Sequence, residues 1–406
     1  MSFTVSKSTP LSLVVPAQPT PDGNIPLTST DKSRLFHEPA ETIRRSLSRA
    51  LVHYYPIAGR VAVGADDAYL ACTGEGVAFV PATANCTLQD VRFLHTPLLI
   101  PLSDLAVQYS GRCGPSDPLL MMQVTEFTCG GYVVAVTWNH VIADAFGLAL
   151  FLQALGEMAR ELPSPSVVPV RDDDSLPEIP QVVAAIRKRP STVSKHVDFV
   201  YSDFTIPRSF INRIKEEFRR RRHSNDAQPC TTFEVVAAAI WQCRTRAISA
   251  EHDALAPLMF AANVRKLIGA KDGYYGNGVF SQLVEATSGE VANGAIVDLV
   301  RLIKDAKERI PDDLTAGVRE MSDGLISAMC GYNVLALSSW GGLGLDGVDF
   351  GGGRPARVVP SVELKAPLCF PCLPCSTADD DGANVVAMCV TEEHIQQFHA
   401  ELARLR

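Results

Sequence analysis

Between Leu119 and Leu152 two apolar stretches, a short polar corner and a third apolar stretch follow one another, and this order restricts the fold more than any other part of the chain. Leu119 to Phe127 and Tyr132 to Asn139 flank Cys129-Gly130-Gly131, which predicts a hairpin. The second stretch is mostly apolar on both faces, as a buried strand requires. His140-Val-Ile-Ala-Asp144 comes next, ahead of the apolar run Ala145 to Leu152. An Asp at a helix N-cap accepts hydrogen bonds from free backbone N–H groups, so His140 is expected to end a strand and Asp144 to open a helix. On spacing alone two readings stand. His140 is a satisfied interior histidine with Asp144 a plain cap, or His140 is a general base, its ordinary pKa near ~6.5 suiting removal of a proton from a hydroxyl or amine. In the second reading Asp144 orients the imidazole or holds the loop.

The rest of the chain mixes strands and helices. Ile43, Leu47, Leu51 and Tyr54 recur at helical spacing opposite Arg44, Arg45 and Arg49, predicting a helix from Pro39 to Tyr54 that ends at Tyr55-Pro56-Ile57-Ala58-Gly59-Arg60. Strand-like sequence follows at Val61 to Val63, Tyr69 to Cys72 and Val77 to Pro81. Pro163 to Pro190 holds six prolines and the run Asp172-Asp173-Asp174 without sustained periodicity, the composition of a linker. The chain therefore divides into a first domain over 1–170, a linker over 171–195 and a second domain over 196–406. The second half reads as a strand at His196 to Ile206 and a helix at Pro207 to Arg222. A helix at Thr232 to about Ser249 follows, capped by Thr231 or Thr232 with Glu234 nearby. Ile296, Leu299, Val300 and Ile303 mark one helix over Val291 to Arg309. Gly-rich turns over Gly341 to Gly353, a strand at Ala383 to Val390 and a helix from Glu392 complete the order. Such mixing predicts α/β or α+β layering.

Composition narrows the function. A length of 406 residues suits two or three domains. A net charge of -8 gives no whole-chain footprint for nucleic acid or an anionic membrane. Met1 to Pro19 lacks the apolar core of a signal peptide, and no run approaches the roughly 20 apolar residues of a membrane span. Eleven cysteines, an odd and scattered count, read as reduced thiols, and the chain as a cytoplasmic protein. Cys369, Cys372 and Cys375 have C-x-x-C-x-x-C spacing, but Pro371, Pro374 and the want of a nearby fourth ligand argue against zinc, and no metal site is expected. His53, at the end of an amphipathic helix, reads as packing.

Five further segments, in order along nearly the whole chain, resemble those of plant acyl-CoA-dependent BAHD acyltransferases. Tyr55 to Arg60 is similar to the family's Y-P-L-A-G-R segment. Gln123-Val124-Thr125-Glu126-Phe127 with Cys129-Gly130-Gly131 is similar to its Q-V-T-x-F-x-C-G-G hairpin, which leads into the HxxxD corner. Thr232-Phe233-Glu234 with Ala237, Trp241 and Arg246 resembles its S-F-E helix. Asn263-Val264-Arg265 ahead of Tyr274-Tyr275-Gly276-Asn277 resembles D-x-R followed by Y-x-G-N. Ser338-Ser339-Trp340 and Asp349-Phe350-Gly351-Gly352-Gly353 resemble the S-W and D-F-G-W-G segments.

The resemblance implies two chloramphenicol-acetyltransferase-like α/β domains, with mixed sheets flanked by helices and a channel between them. It implies a monomer that takes acyl-CoA as co-substrate and a small-molecule alcohol or amine as acceptor, with no permanently bound cofactor, no acyl-enzyme, no metal, no nucleic acid and no membrane. Hydroxycinnamoyl or benzoyl donors lead, with acetyl and malonyl open, and O- and N-acylation are both open. His140 would be the base. Asp144 would pair with Arg265 and hold the loop. Ser338 and Trp340 would wall the oxyanion or substrate, and Asp349, Gly351 and Gly353 would be structural. For CoA, the candidates are Thr232, Asn277, Arg219 and Arg220, within the basic group Lys215 and Arg219 to Arg222, whose plain reading is a solvated helix end. The chain also departs from the family. An aromatic-rich strand is missing where only Lys32 to Glu38 stand, which would leave a sheet edge open. Ala145, Gly352 and Asn263 replace the usual Gly, Trp and Asp. Ala145 would strain the loop if the family's glycine needs positive φ, or cost only a methyl group if it serves packing. The missing strand and Ala145 motivate the alternative of a non-catalytic relative that keeps the fold for binding. A carrier-protein-dependent condensation enzyme is disfavoured, since neither a carrier domain nor a second His directly before His140 is present.

Overall fold

The structure, a computed structural model, describes residues 3–7, 39–64, 67–111, 113–179, 197–221, 228–316, 321–361, 366–373 and 382–406. Lys32 to Glu38, all of Pro180 to Pro190, His196, Arg222 and Cys375 lie outside them. The chain falls into two compact units.

The first unit comprises Met1–Arg171 with two later insertions, Asp272–Asn277 and Gly347–Pro355. Its strands are β1 (Val5–Lys7), β2 (Arg60–Val63), β3 (Ala68–Ala71), β4 (Ala78–Ala84), β5 (Leu120–Phe127) and β6 (Tyr132–Trp138). A four-stranded sheet runs β1-β4-β5-β6, while β2 and β3 form a separate pair. The β4–β5 pairing is parallel and those at either side are antiparallel. The β5–β6 hairpin turns at Gly130, whose φ of 79° is the left-handed region that glycine enters freely. Helices Pro39–His53 and Ala145–Ala159 supply Ile43, Leu47, Phe151 and Leu155 to the core of this unit, with Leu120, Met122 and Val124 of β5. Tyr54 meets Phe151 edge-on at 5.2 Å, which fixes one helix end over the other helix.

The second unit holds β7 (Ser202–Pro207), β8 (Leu258–Asn263), β9 (Val279–Val284), β10 (Leu335–Leu337), β11 (Leu368–Leu373) and β12 (Gly382–Met388). They form one sheet in the order β7-β12-β11-β10-β8-β9. β10 runs parallel to β8 and β11, and the other pairings are antiparallel. Helix Thr232–Ile248 lies within the core, with Val235 to Trp241 at 0% exposure. Its alanines and valines carry few polar atoms to satisfy, and Trp241 Nε1 donates to the Ala256 carbonyl at 3.0 Å.

Several boundaries differ from the sequence reading, and the strand expected at His196 to Ile206 is Ser202–Pro207. The single helix expected over Val291 to Arg309 is two, Ser288–Asn293 and Ile296–Glu308. Gly294 (ψ 158°) and Ala295 (ψ 136°) are extended, so the backbone leaves the helical path between them. The apolar period continues across the break and conceals it. The helix expected over Pro207 to Arg222 is Arg208–Arg220, with Pro207 at its N-cap and Arg221 at its C-cap.

Candidate active site

The corner forms as its sequence requires. β6 ends at Trp138, His140 follows in the connecting loop, and Asp144 is the N-cap of helix Ala145–Ala159. Asp144 is 2% exposed, and its Oδ1 accepts from Gly147 N at 2.9 Å. Ala145 is the first residue of the helix and has no positive φ, so the residue that departs from the family pattern carries no backbone strain.

Side-chain donors hold the loop by its carbonyls. Asn277 Nδ2 donates to His140 O at 2.8 Å, Arg171 donates through Nη1 to Ile142 O and through Nη2 to Val141 O, and Trp138 Nε1 donates to Ala143 O at 3.0 Å. Four successive carbonyls, from His140 to Ala143, thus have side-chain donors in addition to the backbone turn from Ile142 N to Asn139 O. The His140 side chain is exposed, and among the described residues its imidazole makes no hydrogen bond or ion pair. The arrangement fixes the backbone under the imidazole and leaves both ring nitrogens without a hydrogen-bond partner among the described residues.

Gly147 explains how Asn277 reaches the corner. A Cβ at 147 would lie 1.8 Å from the Tyr275 carbonyl oxygen, so glycine lets the segment from Tyr274 to Asn277 lie directly on the first turn of the helix. Arg171 stacks over the Tyr275 ring at 5.5 Å and ties the same segment to the loop. Neither Gly147 nor Arg171 stood out in the sequence. The one available signal was a glycine in the first turn of an otherwise apolar helix, where it costs stability unless something approaches closely.

Asp349 has a structural geometry. Its Oδ1 accepts from Gly351 N and Gly353 N, both at 2.8 Å, with φ of 98° and 100° at those glycines. Its carbonyl lies against Gly156, where a Cβ would come within 2.6 Å. At Gly352, where the family has Trp, a Cβ would meet the Tyr132 hydroxyl at 2.8 Å. The place is filled from the sheet instead.

The remaining predicted residues belong to the second unit. Arg265 is 7% exposed, and Asn263 Oδ1 accepts from its backbone N–H at 3.1 Å and its Nη1 at 3.3 Å. An amide oxygen thus serves where the family has a carboxylate. Thr231 caps its helix by a reciprocal bond with Glu234, and Thr232 accepts from Lys215 Nζ at 2.8 Å. Arg219 and Arg220 are exposed and both pair with Glu216, while Arg221 pairs with Glu217. These are neighbours on the same helix, of the kind that contribute little. Ser338 and Trp340 follow β10, the Trp340 ring stands edge-on to Phe370 at 5.3 Å, and Trp340 Nε1 is buried with no hydrogen-bond partner among the described residues. Cys369 and Cys372 lie on β11 beneath the pairing with β12, where burial pushes both thiols up. Among the described residues no group of three or more His, Cys, Asp or Glu could hold a metal ion, and no helix is long and apolar enough to cross a membrane.

Comparison with known proteins agrees along the whole chain. Residues 4–405 match the model of the Transferase family. Acyl transferase 15 of Oryza sativa subsp. japonica is 41% identical, covering 100% of this chain and 99% of that protein. Myricetin 3-O-glucosyl 1,2-rhamnoside 6'-O-caffeoyltransferase AT1 of Crocosmia x crocosmiiflora is 36% identical over 99% of both chains. Vinorine synthase superposes with a TM-score of 0.69 at 20% identity, over 99% of this chain and 98% of that one. F. graminearum TRI101, solved with coenzyme A and T-2 mycotoxin, gives a TM-score of 0.66 at 16% identity, over 93% and 92%. These last two likenesses are of fold, the chloramphenicol-acetyltransferase-like mixed α/β build.

Proposed function

The chain belongs to the BAHD family of acyl-CoA-dependent acyltransferases, and from that premise we propose that it moves a hydroxycinnamoyl or benzoyl group to a small-molecule hydroxyl or amine, with His140 as general base. The observation that carries this reading is the corner itself: an exposed imidazole on a backbone whose carbonyls are held from His140 to Ala143. The caffeoyltransferase relative supports a hydroxycinnamoyl donor.

In the proposed reaction His140 takes the acceptor's proton as the acceptor oxygen or nitrogen bonds to the thioester carbonyl carbon. The tetrahedral intermediate collapses with cleavage of the C–S bond, and the proton returns to the CoA thiolate. No acyl-enzyme forms. The intermediate's oxyanion needs a preorganised donor, and Trp340 Nε1, a buried donor unmet among the described residues, supports Trp340 with Ser338 for that role. Ala145 gave one reason to favour a non-catalytic relative, and its helical backbone removes that reason. The test is CoA thiol release by purified protein over a panel of acyl-CoAs and acceptors, alongside His140→Ala. Release that depends on acceptor and is lost in the variant supports the reading. Silence from folded protein, or release that survives the substitution, overturns it.

Asp144 and Arg265 are proposed to hold the catalytic loop. Asn caps a helix about as well as Asp, so Asp144→Asn spares the bond from Gly147 and removes only the charge. A loss of about 3–5 kcal/mol in denaturant unfolding is expected, the cost of stranding the partner of a buried charge. Stability and turnover near those of the unsubstituted protein would refute the role.

The CoA phosphates are proposed to draw on the N-terminus of the Thr232 helix and on Asn277, with Arg219 and Arg220 supplying charge. Arg219→Gln with Arg220→Gln is then expected to raise KM for acyl-CoA several-fold with little change in kcat. An unchanged KM assigns these arginines to Glu216 alone.

A further inference from the structure

The turn end of the β5–β6 hairpin brings together two thiols that acyl transfer does not use. Cys129 is exposed in the turn, and Cys86, just past the end of β4, is buried at 4% exposure. β4 and β5 run parallel as far as the pairing of Ala84 with Phe127. Beyond it the Cys86 carbonyl accepts from Thr128 N at 3.0 Å, so the residue beside Cys129 is hydrogen-bonded to Cys86. Chains joined by such a bond lie about 5 Å apart, inside the roughly 4–7 Å that a disulfide spans between Cα atoms. A Cβ at Gly131 would lie 2.6 Å from Leu88 Cδ1 and 3.5 Å from Cys129 Sγ, which puts the sulfur at the seam between the hairpin turn and the segment that follows Cys86.

Hydrogen bonds fix the shape of that segment. Asp90 Oδ2 accepts from Thr87 N at 2.9 Å and from Thr87 Oγ1 at 2.8 Å, Asp90 N donates to Thr87 Oγ1 at 3.1 Å, and Phe93 N donates to Leu88 O at 2.9 Å. Backbone N–H groups of both segments then meet at one sulfur. Those of Leu88 and Gly131, with Cys129's own, hold the Cys129 thiol below its ordinary range. Burial pushes the Cys86 thiol up, and the charges of Asp90 and Cys129 add to the rise. Cys129 therefore ionises first while Cys86 keeps its proton, as suits one thiol that attacks an oxidant and a second that resolves the product.

We propose that Cys129 and Cys86 form a redox modification site, in which a hydroperoxide oxidises Cys129 and Cys86 closes a disulfide onto it. The Cys129 thiolate attacks the hydroxyl oxygen of the hydroperoxide, the O–O bond breaks, and the departing alkoxide or hydroxide takes a proton from water, leaving Cys129 as a sulfenic acid. The Cys86 sulfur then attacks the Cys129 sulfur, the S–O bond breaks, and the hydroxide leaves as water with the Cys86 proton. The two thiols together lose two electrons and the hydroperoxide gains them. The disulfide joins the end of β4 to the β5–β6 turn and closes the long loop between them, which stabilises the first unit against unfolding. His140 follows β6 at its other end, so the site stands apart from the acyl-transfer reading.

The test uses reduced full-length protein, with its thiols mapped by peptide mass spectrometry. Cys72 and Cys330 are exposed as well and serve as the internal comparison. In a short pulse of iodoacetamide Cys129 is expected to alkylate about 5-fold faster than either, or more. Hydrogen peroxide is expected to produce the peptide that links Cys86 to Cys129 and to raise the urea midpoint, and a reductant should reverse both effects. Cys86→Ser leaves the sulfenic acid unresolved, so dimedone should label Cys129 in that variant. Cys129→Ser should give neither the label nor a disulfide at Cys86. Alkylation of Cys129 no faster than that of Cys72 and Cys330 overturns the site, as does peroxide treatment that oxidises Cys129 without linking it to Cys86. Both of those outcomes are read in the unsubstituted protein, so a Cys86→Ser chain that failed to fold would not shield the proposal.

Discussion

His140→Ala is expected to lower turnover by about 10²–10⁴-fold while the chain stays folded and binds acyl-CoA as before. The asymmetry follows from how the corner is held. Asn277 and Arg171 hold the backbone carbonyls of His140, Val141 and Ile142, and every one of those bonds survives loss of the imidazole. The side chain itself is exposed and makes no hydrogen bond or ion pair among the described residues, so its removal strands no buried group. Single-turnover measurement of thiol release, with acyl-CoA binding measured on the same preparation, separates the two effects. The loss should fall on kcat, because a base acts on the proton in flight and contributes little to holding the ground state. A variant that unfolds assigns His140 to the scaffold, and one that keeps full turnover removes it from the chemistry. The same substitution should leave any residual reaction strongly pH-dependent through the acceptor's own ionisation, since deprotonated acceptor no longer needs the base.

How much of this was legible in the sequence differs from residue to residue. The β5–β6 hairpin and the corner were readable because Cys129-Gly130-Gly131 interrupts two strand-like runs and Asp144 precedes an apolar helix, both of which are local signals. The core of the second unit was less so. β8, β9, β10 and β11 are short strands, the parallel ones distant in sequence, and Leu335–Leu337 spans only three residues. Nothing local distinguishes such a strand from a loop. The break at Gly294 was hidden for a related reason, since the apolar period runs on across it. Site residues divide in the same way. His140, Asp144, Asp349 and Arg265 come with neighbours in the chain that mark them. Gly147 gains its meaning only from Tyr275, more than 100 residues away, and Arg171 from the Ile142 and Val141 carbonyls 29 and 30 residues back, and nothing beside either residue in the chain marks it.

Gly147→Ala should damage the first unit through a single methyl group. A Cβ there would sit 1.8 Å from the Tyr275 carbonyl oxygen and 2.7 Å from its carbon, and both are backbone atoms that no rotamer change can move. Relief requires the helix or the Tyr274 to Asn277 segment to shift, and overpacking of this kind costs about 1–3 kcal/mol. Helix propensity acts the other way, since alanine in place of glycine within a helix favours folding by about 1 kcal/mol. Gly324→Ala supplies the comparison: it too lies in a helix, its added Cβ meets nothing within 4 Å, and it should be neutral or stabilising. The consequence for activity sharpens the test. Asn277 donates to His140 O from the very segment that Gly147 admits, so displacing that segment loosens the backbone under the base. Denaturant unfolding and single-turnover rates should therefore fall together in Gly147→Ala and stay level in Gly324→Ala. If Gly147→Ala loses stability but keeps its single-turnover rate, the grip of Asn277 on the loop is not what positions His140, and the burden passes to Arg171.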